Sequence, residues 1–327
     1  MNSSFLNSFI AACFTLSTAT GCVVTSTPGA TTSSDDDGAP STSSGDPVPT
    51  TGTVRVYVAG ESIERRNRFV EAPFTASGAL ADRGAFRNDN DEYGWSVPLA
   101  ERLKLRYPGV GVEFVGAETW LDADDNPYSG SFPASGAGRT SAISGTDIPS
   151  WLEARRAELE GKERCYDLAF AARGGNDFGN EDDNAYVASL AELVVLLANG
   201  SSCRTDPAVY VTAHVPDDQR GGSGPGDAEY VAQQRHRFVE RAEAAVQAVR
   251  DAHPSIRVHF VDLYTPFTEN RATTAFPSET WSNGGIPDFA KITREGDSLH
   301  IRRLASIYIG ELAADAVDLA ELGLAPK

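Results

Sequence analysis

Read as a pattern of apolar and polar positions, the chain from Val54 onward repeats one unit. A short, almost unbroken apolar run is followed by a turn and then by a longer stretch with helical spacing. The apolar runs are Val54 to Ala59, Val112 to Gly116, Tyr166 to Ala172, Ala208 to Val215 and Ile256 to Val261. Unbroken apolarity over so short a run is what a strand buried on both faces requires. The helical stretches are Trp95 to Tyr107, Ile148 to Glu160, Ala185 to Ala198, Ala228 to Ala252 and Ile301 to Leu322. Phe238, Ala242, Ala245 and Val249 fall on one face of the fourth, with Arg and Glu opposite. Pro108-Gly109 stops the first and Asn199-Gly200 the third. Strands alternating with helices predict one α/β domain: a central five-stranded parallel sheet, covered on both faces and linked by right-handed crossovers.

The pattern does not reach the first fifty residues. Phe5 to Leu16 is apolar but too short to span a membrane, and Thr20-Gly21-Cys22 follows it. This resembles a bacterial lipoprotein signal, with Cys22 as the lipidated first residue. A plain secretory signal is the alternative, and either one implies export. From Thr25 to Gly52 the chain is almost entirely Ser, Thr, Pro, Gly and Asp, which has little to bury and reads as a tether. The expected organisation is therefore a signal over 1–22, a linker over 23–52 and a folded domain over 53–327. The chain is expected to be a monomer, held at the cell envelope through the N-terminal lipid or released into the periplasm or medium.

Composition narrows the partners. A net charge of −18 repels phosphate backbones and argues against nucleic acid. Of four cysteines, only Cys165 and Cys203 lie beyond the signal, each a few residues before a predicted strand. If those strands are parallel neighbours, the two residues are placed for a disulfide, as export allows. Neither has companions at metal-ligand spacing, so no metal is expected there.

Three stretches carry candidate chemistry. The first strand stops at Gly60-Glu61-Ser62, which puts a serine on a turn at the carboxyl end of the sheet, where ligands of open α/β sheets bind. A serine hydroxyl becomes a nucleophile only when a base takes its proton. Of the five histidines, His300 follows Asp297 at a spacing that lets the carboxylate fix the ring tautomer and stabilise its cation. His214, at the end of the fourth strand, is the second candidate base. The third strand runs into Arg173-Gly174-Gly175-Asn176-Asp177, which offers the Asn176 amide as a donor to an oxyanion. The Ser62 backbone N–H is a further donor, and a loop glycine, Gly136, Gly138 or Gly145, would supply a third. Trp120, Tyr128 and Trp281 lie on loops, either to stack on sugar rings at the mouth or to pack beneath those loops.

In order and spacing, Gly-x-Ser, a loop glycine, Gly-x-Asn-Asp and Asp-x-x-His resemble the SGNH (GDSL) hydrolase family across the whole domain. The resemblance implies a flavodoxin-like three-layer α/β/α sandwich, hydrolysis of carboxylic esters, no cofactor and no metal. It implies Ser62 as nucleophile, Asp297 and His300 as the rest of a triad, and Ser62, Gly138 and Asn176 as the oxyanion hole. Gly138, in Ala137-Gly138-Arg139-Thr140-Ser141, resembles the block-two glycine of the carbohydrate-acetylesterase branch. That favours short acyl groups, such as acetyl, on a small-molecule or carbohydrate ester. A lipase acting on longer chains and a non-catalytic polysaccharide-binding module on the same fold are the alternatives. The family's block-one Asp is replaced here by Glu61, so its hydrogen bonds to the turn must be remade.

Overall fold

The structure is a computed structural model, and it describes residues 52–122, 124, 126–127, 139–179, 182–218, 228–297 and 299–323. All belong to the compact unit Asp46–Lys327. Cys22, the signal over 1–22 and nearly all of the linker over 23–52 lie outside the described residues. So do Gly136, Gly138 and Tyr128.

Five strands form one parallel sheet: β1 (Thr53–Ala59), β2 (Gly111–Val115), β3 (Leu168–Ala171), β4 (Ala208–Thr212) and β5 (Val258–Val261). Their spatial order is β2-β1-β3-β4-β5. It reverses direction between β1 and β3, and ligands of open α/β sheets bind beyond the carboxyl ends of strands at such a switch point. Successive residues of each strand feed opposite cores. Val54, Val56, Val58, Leu168, Phe170 and Tyr210 face one core. Tyr57, Ala59, Ala169, Ala171, Val209 and Val211 face the other. The expected three-layer α/β/α sandwich is the one observed.

The first core is covered by α1 (Ser96–Arg106) and by α5 (Arg303–Ala316). The second is covered by α2 (Ile148–Glu160), α3 (Asp183–Asn199) and the last segment of α4. Local chemistry starts these helices where the polar pattern predicts. Asp147 accepts from the Ser150 amide at 2.9 Å, and Asp182 from that of Ala185 at 3.1 Å. The long helix is less regular than its periodicity suggests: α4 consists of Ala228–Gln234, a π-helical segment Arg235–Glu240, and Arg241–Ala252. The closing helix is also shorter than expected. Ile301 bridges Thr293 instead of joining it, and after Val317 a 3-10 turn, Leu319–Leu322, is capped by Asp318. The loop expected over Asp122 to Gly145 contributes Arg139–Thr140, which pairs antiparallel with Glu118–Thr119.

At the amino ends of β3 and β4, Cys165 and Cys203 form a disulfide with Cα atoms 4.9 Å apart. The pairing follows from the parallel register, which aligns Leu168 with Ala208.

Candidate functional site

Register also assembles the site. Ala59 is the partner of Ala171, so Gly60-Glu61-Ser62 leaves β1 beside Ala172-Arg173-Gly174 leaving β3. Ser62 opens a single helical turn, Ser62–Arg65. The Glu61 amide donates to Glu64 Oε2 at 2.7 Å, and Trp95 Nε1 donates to Glu64 Oε1 at 2.8 Å. Burial raises the Glu64 carboxyl above its ordinary range, against the pull of these two hydrogen bonds.

The described residues 294–297 and 299–300 bring the histidine in. Arg294 N donates to His300 O at 2.8 Å, and Asp297 N donates to Arg294 O at 3.0 Å. Asp297 Oδ1 accepts from the amides of Leu299 at 3.0 Å and His300 at 3.2 Å. Its Oδ2 lies 2.6 Å from His300 Nδ1. An ionised carboxylate only accepts, so Nδ1 carries the ring proton and Nε2 is left to accept. Ser62 Oγ lies 3.0 Å from that Nε2. Partial burial alone would raise Asp297, but the hydrogen bonds from His300 and Leu299 outweigh it and hold the carboxyl below its ordinary value.

Glu61 reaches from the end of β1 to the loop after β3. Its Oε1 accepts from Gly174 N at 2.7 Å. Its Oε2 accepts from Asn176 N at 3.0 Å and from Asn176 Nδ2 at 2.8 Å. An amide nitrogen carries two hydrogens, so Asn176 keeps one N–H beyond the bond to Glu61. The close approach requires glycine: a Cβ on Gly175 would stand 2.5 Å from His214 Nε2 and 2.9 Å from Glu61 Oε2. Beneath the loop, Arg173 is buried and donates to Gly60 O at 2.6 Å and to the carbonyl of Thr146. Asp177 Oδ1 accepts from Ile148 N, at the start of α2, at 3.1 Å. Burial, reinforced by the nearby Glu61 charge, pushes the Asp177 carboxyl up to about 6.

The structure thus brings Ser62, Asp297 and His300 into one hydrogen-bonded chain, with Asn176 on the adjoining loop. His214 is occupied elsewhere. Its Nδ1 lies 2.8 Å from Val215 O and 3.5 Å from Asp217 Oδ2, and its ring packs on Phe238. Gly145 is exposed, with φ of 70°, on a turn of the loop that Arg173 holds at Thr146. Trp120 and Trp281 are both fully buried, Trp120 against Phe114 and Trp281 among Phe267, Phe276 and Tyr308. They pack beneath their loops and offer no face to a sugar.

Glu92 is the group that the sequence does not announce. It is 1 % exposed, and its Oε1 lies 3.4 Å from His300 Nε2. Its setting, Asn90-Asp91-Glu92-Tyr93, looks like any solvated run, and only the tertiary pairing of Glu92 with Arg302 brings it in. Among the described residues, Glu92, Asp297 and His300 offer metal-ligand atoms lying within 4.8 Å of one another. The Asp297 and His300 nitrogen and oxygen atoms there already serve the hydrogen bonds above.

No protein-family pattern matches the chain, and no curated protein does. Solved structures do resemble it in chain path. A family 3 carbohydrate esterase from Clostridium thermocellum aligns with a TM-score of 0.47 at 16% identity, covering 83% of this chain and 98% of its own. A variant of an acetylxylan esterase from Geobacillus stearothermophilus aligns at 0.46 and 15%, covering 85% and 98%. A lipase/acylhydrolase from Enterococcus faecalis aligns at 0.40 and 17%, covering 84% and 98%.

Proposed function

We propose that the protein is a serine esterase of the SGNH type, exported and lipid-anchored through Cys22, that hydrolyses short acyl esters, such as acetyl groups, on a carbohydrate. The observation that carries this reading is the chain Ser62 Oγ, His300 Nε2, His300 Nδ1, Asp297 Oδ2, with links of 3.0 Å and 2.6 Å. In the first half-reaction His300 takes the Ser62 proton as Oγ bonds to the ester carbonyl carbon. The resulting oxyanion accepts from the free Asn176 N–H and the Ser62 amide, with Gly138 as the proposed third donor. The intermediate collapses by breaking the bond to the alcohol oxygen, which leaves with the proton held on His300. Water then repeats the sequence on the acyl-serine and frees the acid. The acetyl preference rests on the resemblance around Gly138, and the anchor on the pattern ending at Cys22.

The test is hydrolysis of p-nitrophenyl acetate, with longer-chain p-nitrophenyl esters and acetylated xylo-oligosaccharides beside it. Ser62→Ala and His300→Ala should each lose about a thousandfold or more in kcat while remaining folded. A fluorophosphonate should label the wild type once, at Ser62. If both variants turn over like the wild type, the esterase reading fails. Faster turnover of long chains than of acetate would remove the acetyl assignment alone.

A further inference from the structure

Two carboxylates face His300, and the proposed mechanism uses one. Asp297 holds Nδ1. Glu92 approaches the other nitrogen, from a segment locked into the same neighbourhood by backbone pairing. Glu92 bridges Arg302, and Tyr93 N donates to Ile301 O at 3.1 Å. The residue after Tyr93 packs against the serine turn: a Cβ on Gly94 would stand 2.1 Å from Arg66 O and 2.7 Å from Ile63 O. Glu92 is therefore wedged between the element that carries Ser62 and the loop that carries His300. Its Oε2 is ion-paired with Arg66, whereas its buried Oε1 has no hydrogen-bond partner among the described residues.

We infer that Glu92 is a positioning residue that acts through His300, its Oε1 stabilising the imidazolium that forms when Ser62 gives up its proton. For its kinetic consequence the inference rests on the esterase reading above. In the resting state Nε2 accepts from Ser62, and Glu92 Oε1 stands 3.4 Å from it. When the Ser62 O–H bond breaks and the Nε2–H bond forms, the ring becomes a cation with Asp297 on one side and Glu92 on the other. An opposite charge at that distance, away from water, favours the charged ring strongly. Arg66, on the far oxygen of Glu92, keeps the carboxylate from being a lone buried charge. Burial pushes the Glu92 carboxyl upward, and His300 and Arg66 pull against that push, the sign expected of a carboxylate coupled to both. Among the described residues, the charged groups facing the ring are thus Asp297 from its own loop and Glu92 from the segment before α1, with Arg66 behind Glu92.

The experiment separates this coupling from the choice of reaction. In full-length Ser62→Ala protein, the His300 ring titration is followed by NMR with labelled histidine, with and without Glu92→Gln. Loss of the carboxylate should move the His300 midpoint to lower pH by about one unit. Glu92→Asp, which keeps the charge, should restore most of that shift. Arg66→Gln, which leaves Glu92 a lone buried charge and so favours its neutral form, should move the midpoint the same way as Glu92→Gln. In the active protein, Glu92→Gln should lower kcat by about tenfold and carry the acidic limb of kcat/KM to lower pH with it. A His300 midpoint unmoved by Glu92→Gln, or moved equally by Glu92→Asp, overturns the inference. If Glu92→Gln does not fold, an Arg66→Gln midpoint that stays put overturns it instead. If the midpoint moves as expected and no ester is hydrolysed by the wild type, the coupling stands and the esterase reading falls.

Discussion

The two ends of the same sheet are held in different ways. At the amino end, Cys165–Cys203 ties β3 to β4, and the charged groups around it keep contact with water. Arg204 and Asp167, 3.6 Å apart, are 21% and 17% exposed in their side chains. At the carboxyl end, Glu61, Arg173, Asp177 and Glu92 are almost wholly buried, and most of their bonds go to backbone amides and carbonyls. A charge that keeps water loses little when its partner goes, whereas a buried one loses its only solvation. The amino end is therefore built to be strong and the carboxyl end to be exact in position. The contrast predicts that substitutions at one end change stability alone, and at the other change turnover first.

Glu61→Ala should break the comparison hardest. It removes the acceptor of Gly174 N, Asn176 N and Asn176 Nδ2 together. Gly174 N is left buried and unpaired, while the exposed Asn176 can turn to water, at a cost of about 1–3 kcal/mol in stability. If Asn176 serves as the proposed oxyanion donor, its displaced amide should also cost at least about a hundredfold in kcat, since small misplacements of such a group are costly. Both are measurable, by urea unfolding and by p-nitrophenyl acetate turnover. A Glu61→Ala protein with normal turnover would mean that the loop after β3 holds its shape unaided. Next comes Asn176→Ala, which deletes one proposed oxyanion donor and leaves the Glu61 bonds to the backbone amides in place. It should lower kcat about a hundredfold with little change in the unfolding midpoint. Wild-type-like turnover would remove Asn176 from the proposed oxyanion hole.

At the other end the signs exchange. Cys165→Ala with Cys203→Ala frees a loop with a sequence separation of 38 residues. It should cost about 2–4 kcal/mol of unfolding free energy by loop-closure entropy. Turnover per folded molecule should stay at the wild-type value. A loss of kcat at temperatures where the variant is fully folded would show that the two ends are coupled, and the separation drawn above would be wrong.

How much of this was legible in the chain follows from how local each signal is. The strands read directly from their apolar runs, because double-sided burial leaves no room for alternation. Ser62, Asn176 and the Asp297/His300 pair stood out because each lies in a short stretch of its own. Cys165 and Cys203 could be paired because their strands are neighbours in the sheet. Glu92 could not be found this way, since its role comes from pairing with Arg302, far along the chain. Trp120 and Trp281 show the reverse failure, because a loop position in sequence says nothing about whether the ring points outward or under the loop. The ends of α5 and the π-helical segment of α4 were blurred for a third reason. Periodicity reports which face is apolar and not where the hydrogen-bond ladder shifts.

The smallest effect predicted lies at the junction between the candidate site and α2. Asp177 has a folded-state value of about 6 against an ordinary 3.8. Between those values the folded protein binds more protons than the unfolded chain, so this group makes stability fall as pH rises from about 4 to about 6. Above that window the penalty is constant, and below it the penalty is gone. Asp297 works in the opposite direction, since its depressed value makes its contribution present above its unfolded value and lost as pH drops further. Asp177→Asn keeps an acceptor for Ile148 N but cannot ionise. Its stability relative to wild type should therefore improve as pH climbs from 4 to 6 and then level off, by about 1–3 kcal/mol in all. Urea unfolding midpoints across pH 4 to 8 for the two proteins decide it. A difference that does not change with pH would mean that the carboxyl is ionised throughout. Arg173 would then neutralise it more fully than burial opposes it, and the carboxyl end of the sheet would be less costly to hold than its buried charges imply.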